Sequence, residues 1–241
     1  MKRLIIVLSV LLLSSAATLT AQNLKSILKK HYAAVGQPAI NAAEAVVING
    51  KINQMGMELP FVIYQKRPGK VKFEATFQDM QLVQAFDGEN GWAINPMSGP
   101  EPTDMGVTEK KTMQSMAEIE GRLYNWKKKK YKVSYEGDES IEGVKTHKVK
   151  VITPDGDSET YYIDSNTSLI AKVDSKSKVQ GMDVEATKVY SDYKDSNGYM
   201  VAFKTETFMM GQAAGELYIV NFEIKKGAEI SDEIFMKPKA E

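Results

Sequence analysis

Residues 57–77 read MELPFVIYQKRPGKVKFEATF, and the fold follows from how this stretch alternates. Val71, Phe73, Ala75 and Phe77 take every second position, with Lys72, Glu74 and Thr76 between them. Successive side chains of a strand point to opposite faces, so this is a strand apolar on one face and wet on the other. The segment before it places Leu59, Phe61 and Ile63 on one face and Val62 and Tyr64 on the other. A strand that is apolar on both faces has to be covered on both sides. Arg67-Pro68-Gly69-Lys70 supplies the turn between the two, so the pair is a hairpin within a larger sheet.

Working outward, Glu44 to Ile52 carries Val46, Val47, Ile48 and Ile52 and turns at Gln54-Met55-Gly56-Met57. Downstream, Asp79-Met80 turns into Leu82 to Phe86, and Asp87-Gly88-Glu89-Asn90-Gly91 leads to Trp92-Ala93-Ile94-Asn95-Pro96. These short connections predict an antiparallel meander of about five strands. Ser98-Gly99-Pro100-Glu101-Pro102 holds neither helix nor ladder. After it, Thr108 stands as an N-cap and Met113, Met116 and Ile119 recur every three residues, which predicts a helix over 108–120. Strands resume over 131–135, 144–152, 159–163, 169–173, 182–190, 199–209 and 216–224, again with explicit turn residues between them. Ahead of the sheet, Leu24, Ile27, Leu28, Tyr32 and Val35 have helical spacing, which predicts a helix over 23–35 stopped by Gly36 and Pro38.

The first residues are of a different kind. Lys2 and Arg3 precede an apolar run from Leu4 to Leu13, and small residues around Ala17 and Ala21 follow, the order of a secretory signal. The run is too short to span a bilayer as a helix. Residues 1–21 are therefore expected to be removed, leaving 22–241 as a single domain in the periplasm, with 29 basic against 31 acidic residues. That balance disfavours a nucleic-acid surface. With no cysteine there is no disulfide, thiol nucleophile, zinc–thiolate site or lipid attachment at an N-terminal cysteine.

Catalytic signatures are missing as well. His31 and His147 are the only histidines, and they lack metal-ligand spacing. Gly-x-Ser-x-Gly, a Walker loop and a dinucleotide fingerprint are absent. Asp155, Asp157 and Glu159 sit together, but a Pro-Asp-Gly-Asp turn wants aspartates for backbone reasons. No catalytic residue, metal or cofactor is assigned. The run Lys127 to Lys130 reads as a solvated linker before a strand, with an anionic membrane surface or an acidic partner as the alternative. Met55-Gly56, Gly181-Met182 and Met210-Gly211 put methionine beside glycine at three hairpin tips.

Several stretches together resemble a known family. They are Ala34-Val35-Gly36, Met57 to Pro68, Phe86-Asp87-Gly88 with Gly91 to Pro96, Ser191-Asp192-Tyr193-Lys194, and Ser231-Asp232-Glu233-Ile234-Phe235 with Pro238. In this order they resemble the periplasmic lipoprotein-carrier superfamily of LolA, LolB and LppX type, and more closely its LolA-like outer-membrane lipoprotein-sorting proteins. The resemblance implies a mainly β fold, an open half-barrel antiparallel sheet of about eleven strands with helices plugging the concave face. It implies an apolar cavity for acyl chains walled by Phe61, Ile63, Phe73, Phe77, Phe86, Trp92 and Ile94, with Met113 and Met116 on the lid. The function implied is non-enzymatic: a monomeric periplasmic carrier or binder of lipoproteins or acyl lipids in outer-membrane biogenesis, with inner- or outer-membrane sorting components as partners. The alternative on the same fold is an envelope-stress sensor that binds a membrane protein. Such sensors carry a further C-terminal domain, whereas here only a short tail follows the last strand.

Overall fold

The computed structural model describes residues 23–54, 56–77, 80–179 and 182–238, so the export signal read in residues 1–21 lies outside the described residues. The strands are β1 (Ala45–Gln54), β2 (Met57–Lys66), β3 (Lys70–Phe77), β4 (Met80–Phe86), β5 (Gly91–Ile94), β6 (Thr103–Asp104), β7 (Lys132–Ile141), β8 (Val144–Ile152), β9 (Ser158–Asp164), β10 (Ile170–Val179), β11 (Met182–Ser196), β12 (Tyr199–Met209) and β13 (Gln212–Lys225). All 13 pair antiparallel in one sheet, in the order β6-β5-β4-β3-β2-β1-β13-β12-β11-β10-β9-β8-β7. Two meanders thus run outward from the centre, where β1 pairs with β13 from Ala45↔Lys225 to Asn53↔Glu216. β6 and β7 are its two edges, so the sheet is an open half-barrel.

Three helices cover the inner face: α1 (residues 23–35), α2 (Gln37–Ala42) and α3 (Val107–Met116). Ile27 and Leu28 of α1 pack on Val149, Val151, Tyr161 and Ile163 of β8 and β9. Ile40 of α2 packs on Val46, Val201 and Phe222, at the junction of the meanders. Met113 of α3 packs on Val71 and Phe86. The outer face is covered over β1 and β2 by the chain's last described segment, where Ile230 and Phe235 pack on Ala45 beside Val47 and Tyr64. The doubly apolar strand of the sequence is therefore covered on both sides, with Ile63 against the α3 cluster and Tyr64 against the tail.

Where the sequence stops one helix at Gly36 and Pro38, the structure also starts another. Gly36 has φ +71° and is the N-cap of α2, with Pro38 in its first turn. The missing amide hydrogen of proline costs nothing there, because the first-turn donors have no helical partner in any case. A Cβ at Gly36 would lie 1.8 Å from the carbonyl oxygen of Gly198, so only glycine fits the corner. The helix expected over 108–120 ends at Met116, and Ile119 turns back to pack under α2. β7 and β10 run on to Ile141 and Val179, well past the residues 135 and 173 at which apolar alternation ends. Their polar extensions are held by ladder pairing to β8 and β11 rather than by burial.

Candidate functional site

A cavity of about 330 Å³ opens on the inner face between α1, α2, residues 119–123 and strands β9 to β13 and β1. Its wall is largely apolar, with Val35, Ile40, Ile48, Ile119, Ile219 and Phe222. It lies in the lower part of the size range of small-molecule sites. The segment after α3 closes it as a strap. Arg67 pairs with Glu120 at 2.7 Å and donates through Nε to the Ala43 carbonyl at 2.8 Å. Gln37 Nε2 donates to the Glu120 carbonyl at 3.1 Å, and Gln65 donates to the Met116 carbonyl. Burial opposes ionisation of Glu120, yet the hydrogen bond from Arg67 and the nearby Lys129 ammonium hold its carboxyl below the ordinary range.

Set into this wall are polar groups of a particular kind. His31 is 4% exposed, and its Nδ1 lies 2.9 Å from the Ser168 carbonyl. A carbonyl only accepts, so Nδ1 carries the proton. Burial lowers the pKa of His31, against the smaller effect of that hydrogen bond, and the ring is neutral with a lone pair on Nε2. Among the described residues nothing donates to Nε2, and no side-chain nitrogen or oxygen is sealed from solvent without a partner. Nε2 is therefore not sealed from solvent, and the His31 side chain is among those that line the cavity. Tyr190 and Tyr199 also line the cavity, and burial raises both pKa values. Tyr193 donates to the Ile170 carbonyl at 2.8 Å, and Tyr161 donates to the Glu159 carboxylate. The site is an apolar pocket with a few hydrogen-bonding groups at fixed places.

No family model matches the chain, and no curated protein matches it. Solved structures do. A LolA superfamily protein from Nitrosomonas europaea superposes with a TM-score of 0.59 at 16% identity, over 90% of this chain and 98% of that one. A DUF1329 family protein from Desulfovibrio piger gives 0.59 at 13% identity, over 86% and 96%. A Vibrio parahaemolyticus domain described as an outer membrane lipoprotein-sorting protein gives 0.56 at 14% identity, over 87% and 97%. The chain has a LolA-like fold.

Within the LolA-like half-barrel, the residues expected to wall the cavity are divided. Ile48, on the cavity wall, pairs with Ile63, and Ile63 pairs with Phe73. Cross-strand partners share a face, so Phe61, Ile63 and Phe73 extend the same inner surface, with the Phe61 and Phe73 rings stacked 5.9 Å apart. Phe86 and Met113 are on that face too, but with Val71 and Met105 they form a filled core, and Met116 packs at its border. The backbone of Phe77 ends β3, and its side chain lies outside the described features. Trp92 and Ile94 must be corrected: Phe86 pairs with Gly91, which turns both onto the outer face with Val83 and Ala85. There the Trp92 Nε1 donates to the Phe235 carbonyl at 2.9 Å. None of the nine expected residues borders the 330 Å³ cavity.

The other polar clusters hold the fold together. Lys111 of α3 bridges Asp155 at 2.5 Å and Asp157 at 2.7 Å, tying the helix to the β8–β9 turn. Arg122 pairs with Glu159 at 3.2 Å. His147 contacts Asp138 at 2.6 Å, with Tyr135 and Lys145 on the same carboxylate, and among the described residues no hydroxyl hydrogen-bonds the His147 ring. No three His, Asp or Glu side chains converge among the described residues as a metal site. Lys129 departs from the reading of a solvated linker, since it reaches Glu118 at 2.9 Å and Glu120 at 3.4 Å. The cavity residues missed in the sequence are His31 and the tyrosines of β9, β11 and β12. Their one signal was Tyr161, Tyr190, Tyr193 and Tyr199 recurring in strands of the second meander.

Proposed function

We propose that this chain is a non-enzymatic binder or carrier of acylated cargo, lipid or lipoprotein, in the cell envelope. The observation that carries the reading is the apolar cavity beneath α1, α2 and the strap. In this reading an acyl chain enters the cavity and lies against Ile40, Ile48, Ile219 and Phe222. Burying its methylenes supplies roughly 0.8 kcal/mol each. The charged, apolar and small-residue order of residues 1–21 supports export, with 22–241 acting as one monomeric domain. The lipoprotein-sorting description of a neighbour of like fold supports membrane sorting components as partners.

The test is uptake of a fluorescent fatty acid by protein stripped of co-purified lipid. Thr205→Phe adds bulk at the cavity wall and should abolish uptake while shifting the melting temperature by only a few degrees. Stripped wild-type protein that takes up no acyl ligand would overturn the proposal.

A further inference from the structure

A second concavity lies outside the interior cavity, in the groove between α1 and the edge strand β7. It measures about 770 Å³, and its floor is Leu28, Tyr32, Trp126, Val133 and Tyr135. Its rim is Lys25 and Lys29 of α1 and Lys127, all exposed. Among the described residues no aspartate or glutamate lines it. Among the described residues none of the three lysines meets a carboxylate, although lysines elsewhere in the sheet are paired, as Lys51 is with Glu58 and Lys176 with Glu185. Lys127 instead stands 5.3 Å from the centroid of the Trp126 ring, and the nearby Asp138 is engaged by Tyr135, Lys145 and His147.

Lys25 and Lys29 are one helical turn apart, where like charges repel and an anion between them removes the repulsion. An apolar floor gains by covering, and only an occupant that is apolar at one end and anionic at the other satisfies both parts. Three separate ammonium groups match a head with several acceptor oxygens, and lysine binds phosphate as a point charge. We infer that this groove is a second binding site, for a single acyl lipid with a phosphate head, its chain on Trp126 and Tyr32 and its head among Lys25, Lys29 and Lys127. The inference does not rest on the proposed role of the interior cavity, because the two sites share no lining residue.

Trp126 is a built-in reporter. The only other tryptophan, Trp92, is buried on the outer face and is silenced by Trp92→Phe. Dodecyl phosphate, titrated below its micelle concentration, should shift the Trp126 emission and bind at least tenfold more tightly than dodecyl maltoside, which has the same chain and a neutral head. The triple variant Lys25→Glu, Lys29→Glu, Lys127→Glu should lose that tenfold preference, keep its melting temperature and still take fatty acid into the interior cavity. Thr205→Phe should leave the Trp126 response intact. Calorimetry on the wild-type chain reads the same binding if Trp92→Phe lowers stability. Equal binding of the two amphiphiles would overturn the inference, as would competition by inorganic phosphate as strong as that by dodecyl phosphate, or loss of the response in Thr205→Phe.

Discussion

Beneath α3 the inner face of the sheet is full, with Met113 at 1% exposure, Phe86 at 2% and Val71 at 0% in one cluster. Beneath α1 and α2 the same face leaves about 330 Å³ open. Both regions rest on antiparallel strands with inward apolar residues, so the difference comes from what covers them. α3 lays Met113 along β3 and β4, and flexible thioethers fill irregular gaps. The α1–α2 pair is bent at Gly36, so its side chains reach the sheet at two separate places, Ile27 with Leu28 on β8 and β9 and Ile40 at β1 and β13. The space between is spanned by tyrosines and His31. A helix that lies flat seals the sheet, whereas a bent one leaves a vault.

The largest expected effect comes from forcing the bend. Gly36→Ala places a Cβ against the Gly198 carbonyl in left-handed backbone, and the two costs together should exceed about 3 kcal/mol. Urea unfolding should show it, and a loss below 1 kcal/mol would mean that the bend does not shape the vault. Next comes Met113→Ala on the filled side, which should cost about 2–5 kcal/mol in the same measurement because the cavity it creates is sealed. Acyl uptake should survive it, provided that the assay is run well below the melting temperature.

Acidification separates two groups of the vault, His31 and Glu120, by pH window. The folded-state pKa of His31 is below its ordinary 6.5, so below that pH the unfolded chain binds more protons and stability falls. The contribution of Glu120, also lowered in the fold, is present above its ordinary 4.5 and is lost only as pH falls through its folded value. Thermal melts from pH 7 to 5 should therefore show a decline that His31→Asn flattens, with a second decline at lower pH that Arg67→Ala lessens. A decline between pH 7 and 5 that is identical in His31→Asn would assign it elsewhere. The smallest effect belongs to the vault hydroxyls. Tyr199→Phe should change stability by less than about 0.5 kcal/mol, since its hydroxyl has no partner among the described residues. Tyr193→Phe should cost about 1 kcal/mol, because its bond to the Ile170 carbonyl is lost. Equal losses in the two variants would show that the Tyr199 hydroxyl is engaged after all.

Much of the architecture was legible because alternation is a local property. Val71 to Phe77 declared a half-buried strand, and Phe61 and Ile63 fell on one face as read. Trp92 and Ile94, which the resemblance put on the cavity wall, lie on the other face. The turn between β4 and β5 sets Gly91, not Trp92, opposite Phe86, and a one-residue difference in register exchanges the two faces. The polar ends of β7 and β10 were not legible, because pairing rather than burial makes them strands.

By itself, the sequence determined a many-stranded antiparallel sheet with locally joined strands, a first helix over 23–35 and a methionine-faced helix after Pro102, since each depends on residues within a few positions of one another. Only the tertiary structure decided which part of the inner face is filled and which is open. That depends on contacts between distant segments: Gly36 against Gly198, His31 against Ser168, Arg67 against Glu120. Spacing along the chain carries no record of them, because a cavity is set by where covering elements fail to meet, and that is fixed only once the whole sheet has curled.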